Sequence, residues 1–306
     1  RVLKSGVIDR LRFSLPIITA LIKAQIMNQQ SLKRAFRIGE KHYDIGNDLF
    51  ASMLGASMAY SCGYWKDASN LDEAQLAKFE LICKKLYLEE GMKVLDIGCG
   101  WGGLAAYMTE HYGVKVIGLT ISKEQAEYAR KHNSNPNIEI RLQDYREFNE
   151  KVDRIVSVGM IEHVGQKNYK SFMRLAKKSL NENGLFLLHT IGSPISSTIT
   201  EPWIEKNIFP GGVLPSLAQL TKSAEGLFVI EDIHNFGSDY DLTLMAWHNN
   251  FVKAWPELKS GYDEKFYRMW RLYLLSCAGG FRARSIQLWQ LILSPNGVSG
   301  GYKSIR

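Results

Sequence analysis

Residues 94–103 read VLDIGCGWGG, and how this stretch is read decides the fold. A short apolar strand passes through an acid, Asp96, into a turn punctuated by Gly98, Gly100 and Gly102. Glycine lets a backbone turn sharply and approach a ligand where a Cβ would clash. The amide N–H groups of such a turn, with the N-terminus of the helix expected over 103–112, offer donors to a polar or anionic group. A spaced-glycine pattern alone is a weak signal. Here a strand precedes it, a helix follows, and a second strand-like run comes at 114–120.

Outward from this turn the chain alternates. Strand-like runs at 114–120, 138–142, 154–160 and 185–191 are interleaved with helical spacing over 122–131 and 167–180, and Ser122 with Gln125 makes a capping box. Such alternation implies a doubly wound, mostly parallel α/β sheet. Upstream, 71–88 has helical spacing with Cys83 read as core, and 42–50 (HYDIGNDLF) reads as a loop with Gly46 and Asn47 as turn formers. Downstream, 192–227 carries proline and glycine breaks and is too long for a plain connection, so it reads as an inserted element that covers a substrate. A strand over 228–236, helices over 240–255 and 264–278 and a last strand at 285–294 follow, with a Gly/Ser-rich tail expected to fray.

The charge is uneven. Residues 1–41 hold nine basic residues against Asp9 and Glu40, a surplus equal to the chain's whole net charge of +7. With Leu, Ile, Phe and Met interspersed, this basic amphipathic leader suits an anionic membrane surface, and equally nucleic acid or a solvated linker. No run approaches the ~18 apolar residues of a membrane span. The chain begins at Arg1 rather than Met, which points to a segment upstream of the leader. Cys62, Cys83, Cys99 and Cys277 have no metal-ligand spacing, so no metal is expected and a reduced, cytoplasmic setting is.

Ligands of open α/β sheets bind at the carboxyl ends of the strands. The expected strands present there Asp96 with the glycines; Thr120 with Gln125 behind it; Gln143, Asp144 and Tyr145; Glu162 and His163; His189; and, after the sixth, His234 and Tyr240. The second strand ends without the acid that holds ribose hydroxyls in dinucleotide-binding domains, and Asp144 is placed to accept from an adenine amino group. That favours S-adenosylmethionine over a nicotinamide cofactor, with Gln125 as a neutral substitute for the ribose acid. Taken singly, Glu162 reads as a helix cap, His189 as a satisfied strand-end histidine, Tyr240 as a core tyrosine and Cys62 as a small buried hydrophobe.

The segments HYDIGNDLF, YSCGYWKDA, VLDIGCGWGG, LTISKEQ, RIVSVGMIEHVG, LLHTIG, NFGSDYDLTLMAW and CAGGFRAR together resemble, in order and spacing, the cyclopropane-fatty-acyl-phospholipid synthase family, which includes the mycolic acid cyclopropane synthases. The similarity runs from His42 to about Ser294. It implies a class I methyltransferase fold over 42–306, with seven strands, the last antiparallel, and a helical, lipid-covering insertion at about 192–227. It implies transfer of a methylene carbon from S-adenosylmethionine to the cis double bond of an unsaturated acyl chain in a membrane phospholipid. The site of work would be the inner face of the cytoplasmic membrane, with the protein peripheral to it.

By that resemblance Cys62, Glu162, His189, Ile191 and Tyr240 hold a bicarbonate ion, and Tyr60, Ser61, Thr120, Gln125, Tyr145 and Arg146 join Asp96, Asp144 and the three glycines at the cofactor. Tyr145 and Arg146 stand where the mycolic enzymes carry a Trp-Glu pair. The chemistry suits these residue types. Methyl transfer to an alkene leaves a carbocation that aromatic faces stabilise, and one proton must leave the new methyl for the ring to close. A small captive base removes that proton without forming the ester a side-chain carboxylate risks. Cys277 is a further candidate, read as lining the pocket because no step needs a thiolate. A lipid methyltransferase giving a methyl-branched or hydroxylated product is the alternative within the fold. Assembly into a homo-oligomer stays open. A nucleic-acid-binding or RNA-modifying role is remote, because 42–306 lack a basic stripe interleaved with aromatics.

Overall fold

The computed structural model describes residues 46–306, so the basic leader lies outside the described residues. Seven strands form one sheet in the order β3-β2-β1-β4-β5-β7-β6. β1 (Lys93–Ile97) pairs in parallel with β2 (Lys115–Thr120) and β4 (Val152–Val158). β3 (Ile138–Leu142) lies outside β2, and β5 (Leu180–Gly192) outside β4, both parallel. β7 (Gln287–Ser294) is antiparallel between β5 and β6 (Val229–Asn235), as the resemblance implies.

Alternation along the central strands explains the two-faced core. Leu95, Ile117, Ile155 and Leu188 pack on one face with Tyr169, Phe172 and Met173. Their neighbours Val94, Val116, Val156 and Leu187 pack on the other with Phe79, Ile82, Leu104 and Met108. A strand buried on both faces reads as a continuous apolar run, which is why these segments stand out in the sequence. α2 (Leu71–Lys85) and α3 (Gly103–Tyr112) supply the second face; α5 (Tyr169–Ser179) supplies the first.

Local chemistry sets the ends. Ser122 caps α4 (Lys123–His132) by accepting from Gln125 N–H, but only half of the expected capping box forms, because Gln125 Oε1 instead accepts from the Thr120 hydroxyl at 2.8 Å. The segment 42–50 is not wholly a loop: α1 (Asn47–Leu54) begins within it, driven by burial of Leu49, Phe50, Met53 and Leu54 on one face. The long connection after β5 holds two short helices, α6 (Pro202–Asn207) and α7 (Leu217–Ala224), the latter with a complete Ser216–Gln219 capping box.

α8 (Asp239–Leu258) and α9 (Glu264–Arg282) close against α1. They form a second, aromatic core of Phe50, Trp101, Trp247, Phe251, Trp270 and Tyr273.

The tail does not fray. Tyr302 donates to Lys85 O at 2.9 Å, Arg306 holds Asp232 through both guanidinium nitrogens, and Ser304 reaches the same carboxylate at 2.8 Å. These partners are far away in sequence, so composition alone mistakes a pinned segment for a free one. Among the described residues no helix is long and apolar enough to cross a membrane.

Candidate active site

A cavity opens at the carboxyl ends of β1, β2, β3 and β4. Its floor is the glycine turn. Gly98 has φ +87, and a Cβ there would meet Met160 Cβ at 3.0 Å. At Gly100 no atom lies within 4 Å of the Cβ position, so the backbone presents a bare surface to the cavity. Tyr60, Ser61, Asp96, Thr120, Gln125, Asp144, Tyr145 and Arg146 line its walls. Gly102 does not. It sits at the start of α3 with φ +86, against Asn133 and Ala129. The open floor and polar walls fit a nucleoside-bearing ligand.

Asp144 is not a free acceptor. Both carboxylate oxygens are held by Arg146, at 2.7 Å from Nε and 2.6 Å from Nη2, and its Oδ1 also accepts the Arg146 backbone N–H. Tyr145 and Arg146 therefore act with Asp144 as one rigid corner of the cavity.

Lys78 is the residue the sequence does not reveal. It comes from α2, is 1% exposed, lines the cavity and donates to Ser61 Oγ at 2.8 Å. Burial lowers its pKa to about 7, against the opposing pull of Cys62 and Asp96. Burial likewise pushes Asp96 up to about 7, with Lys78 pulling it back. Trp101, also unforeseen, closes the floor and donates from Nε1 to Asn47 Oδ1 at 2.9 Å, tying the glycine turn to α1.

The second cluster lies deeper. Glu162 follows β4 in a short 3-10 turn, Ile161–His163, and is buried. It caps no helix. Its Oε1 accepts the backbone N–H of Ile191, at the end of β5, at 2.7 Å. His189 is paired in register with Val158, and Glu162 bonds Ile191 two residues further along β5, so both residues belong to the adjoining ends of β4 and β5.

Among the described residues only four buried side-chain polar atoms lack a hydrogen-bond partner. Glu162 Oε2 and His189 Nε2 are two of them, and Trp247 Nε1 is a third. Tyr240 sits edge-on to the Trp247 ring at 6.0 Å and stacks on Phe281 at 4.5 Å. Buried polar atoms without partners are rare in native proteins, and two of them, Glu162 Oε2 and His189 Nε2, belong to residues at the ends of the paired strands β4 and β5, where a ligand would satisfy them.

Electrostatics agree with the geometry. Burial raises the Glu162 pKa to about 7, partly offset by the backbone N–H groups of Glu162 and Ile191 and by the nearby Thr190 hydroxyl, which itself donates to Ile191 O. Burial, then Lys78, Lys85 and His234, hold His189 well below its ordinary value, so it is neutral. The Tyr240 hydroxyl is raised first by burial and then by the charges of Cys62, Tyr60, Glu162 and Cys277. Cys62 is fully buried, with its thiol on Gly63 O at 3.2 Å and its pKa raised well above the ordinary value by burial. Cys277 is pushed up to about 12 by burial, which keeps it a thiol and not a nucleophile. Among the described residues no cluster of His, Cys, Asp and Glu is arranged to hold a metal ion.

The family model described as mycolic acid cyclopropane synthetase matches residues 30–291. The chain belongs to this family. It is 52% identical over all 306 residues to cyclopropane-fatty-acyl-phospholipid synthase of Escherichia coli K12, covering 80% of that protein. Among solved structures it resembles the cyclopropane synthase MmaA2 from Mycobacterium tuberculosis, with a TM-score of 0.80 and 33% identity, over 84% of this chain and 97% of that one. It resembles mycolic acid cyclopropane synthase CmaA1 complexed with SAH and CTAB with a TM-score of 0.79 and 33% identity, over the same shares of each chain. The mostly parallel seven-stranded sheet is thus the methyltransferase sheet of this family. The chain is an enzyme of the S-adenosylmethionine-dependent methyltransferase class.

Proposed function

We propose that this enzyme transfers a methylene carbon from S-adenosylmethionine to the cis double bond of an unsaturated phospholipid acyl chain, closing a cyclopropane ring. The observation that carries the reading is the pair of unpartnered buried atoms, Glu162 Oε2 and His189 Nε2, on adjoining strand ends behind the cavity. In this reading the glycine turn, Thr120, Gln125 and the Asp144–Arg146 corner bind the cofactor. The acyl chain lies along the aromatic core under the helices of 192–227. The basic leader docks the protein, peripherally, on the anionic inner face of the cytoplasmic membrane.

The alkene's π electrons form a bond to the sulfonium methyl carbon as the carbon–sulfur bond breaks, and S-adenosylhomocysteine leaves. An alkene is a weak nucleophile, so orientation in a dry site supplies much of the acceleration. The faces of Tyr60, Tyr64 and Tyr240 flank the electron-deficient carbon without trapping it. Loss of one proton from the new methyl then closes the ring.

The residues present suit a bicarbonate ion: Glu162 accepts from its hydroxyl, His189 and Tyr240 donate to its oxygens, and Ile191 and Cys62 close the space around it. Bound there, the ion supplies a small base for the departing proton.

The test uses vesicles of unsaturated phosphatidylglycerol and phosphatidylethanolamine with labelled S-adenosylmethionine. The expected product carries one added CH2 in an acyl chain and ring proton signals in NMR. A methyl branch, or CH2 plus water, moves the assignment to the alternative lipid methyltransferase. No label in lipid overturns the proposal.

Lys78 adds a cation to a cavity whose ligand bears a sulfonium, an arrangement that favours binding only if the amine faces the ligand's carboxylate. Lys78→Met should therefore raise the KM for S-adenosylmethionine by about tenfold, the loss of one charge-assisted hydrogen bond, with kcat little changed. An unchanged KM would remove Lys78 from the cofactor site.

A further inference from the structure

Three strands carry a row of polar side chains through an otherwise apolar layer. His189 on β5 is in register with Gln290 on β7, and Gln290 is in register with His234 on β6. Lys85 of α2 reaches this row from the helix layer. Both Lys85 and Gln290 are fully buried. Among the described residues no carboxylate lies within ion-pair distance of Lys85; its Nζ is instead 2.9 Å from Gln290 Oε1 and 2.9 Å from His234 Nδ1.

These contacts determine where a proton sits. An ammonium has only donors, so the Gln290 amide must turn its oxygen to Lys85. Its NH2 then faces the other way and meets His189 Nδ1 at 3.2 Å. An NH2 group donates, so Nδ1 must accept and the ring proton must reside on Nε2. Nε2 is the ring nitrogen left without a partner, behind the cavity where Glu162 Oε2 is also unsatisfied.

We infer that Lys85 and Gln290 are positioning residues that fix His189 as the Nε2–H tautomer and so keep a hydrogen-bond donor aimed into the reacting site. The inference rests on the reading above that His189 serves that site, but the relay can be tested without it. It also explains why a lysine is buried here with no acid as partner: its donors orient an amide instead of neutralising a charge.

The test is the histidine side-chain 15N–1H long-range correlation spectrum of the whole protein. It is recorded at pH 6, below the value of about 7 to which burial lowers Lys85. His189 is assigned by loss of its signals in His189→Gln. Wild type should show His189 with Nε2 protonated and Nδ1 bare. Gln290→Glu presents only oxygens to the ring and should move the proton to Nδ1 or charge the ring. It should also lower kcat by at least about tenfold, with the KM for S-adenosylmethionine unchanged. Lys85→Met, which frees the amide to turn, should give both tautomers.

A wild-type ring protonated on Nδ1, or Gln290→Glu spectra identical to wild type, would overturn the relay whatever ligand the site holds. If Lys85→Met fails to fold, the other two spectra decide. An Nε2–H ring in an enzyme whose rate ignores bicarbonate would retain the relay and discard the ion.

Discussion

Glu162→Gln should lower turnover on phospholipid vesicles by about two orders of magnitude, while the dissociation constant for S-adenosylmethionine stays within about twofold. Glu162 does not line the cavity of the glycine turn, and its Oε2 has no partner, so in the proposed mechanism the change removes an acceptor for the captive ion and leaves the glycine turn intact. Loss of cofactor binding instead would show that its role has been misread.

The same residue gives a pH signature. Burial raises Glu162 to about 7, so the folded protein favours the neutral acid. That preference stabilises the fold fully below the ordinary carboxylate range, and the stabilisation is lost as pH climbs through about 7. Activity runs the other way, because the ionised form is the acceptor: kcat should rise through about pH 7 in wild type, and this limb should vanish in Glu162→Gln. Above pH 7 the variant should be the more stable protein by up to about 3 kcal/mol, because burying the ionised carboxylate costs the wild type alone. Urea denaturation at pH 5 and pH 8 checks this, since the advantage should be small at pH 5 and near its full size at pH 8. A buried carboxylate kept at the expense of stability is the trade expected of a functional site.

The second large effect is steric. A Cβ on Gly103 would lie 2.2 Å from the backbone oxygen of Ser57, where no flexible side chain can yield. Ser57, Tyr60 and Ser61 lie on the wall of the cofactor cavity, so Gly103→Ala must push that wall. We expect a loss of roughly 1–3 kcal/mol of stability and at least about tenfold weaker cofactor binding. Gly279 of α9 is the control, because nothing lies within 4 Å of its Cβ position. Gly279→Ala should be neutral or stabilising by up to about 1 kcal/mol, since alanine is the better helix former. Equal behaviour of the two variants by calorimetry and cofactor titration would refute the packing argument.

What the sequence discloses follows from how local each signal is. The glycine turn, the buried strands and the strand-end residues Glu162, His189 and Thr120 are local patterns, and the sheet sets each at the carboxyl end of its strand. Lys78 and Lys85 are hidden because α2 carries Lys78, Lys84 and Lys85 along one short helix. Charge on a helix reads as a solvated face. Lys84 does lie in solvent, 3.1 Å from Glu80, whereas its neighbour Lys85 is fully buried. No single-residue signal separates them; only the cross-strand row of His189, Gln290 and His234 does. α1 escapes for a different reason. Gly46 and Asn47 dominate the reading, although Leu49, Phe50, Met53 and Leu54 recur at helical spacing. The tail is misjudged because Arg306 and Tyr302 find partners at Asp232 and Lys85, distances in sequence that composition cannot report.

In the proposed mechanism Glu162 and His189 hold a small captive base beside the methyl donor. The most direct measurement is the initial rate on unsaturated vesicles in buffer stripped of carbon dioxide, then with bicarbonate returned. In wild type the rate should collapse in stripped buffer and recover in saturable fashion with added bicarbonate, without recovery in Glu162→Gln. A wild-type rate that is the same in stripped and replenished buffer would contradict it.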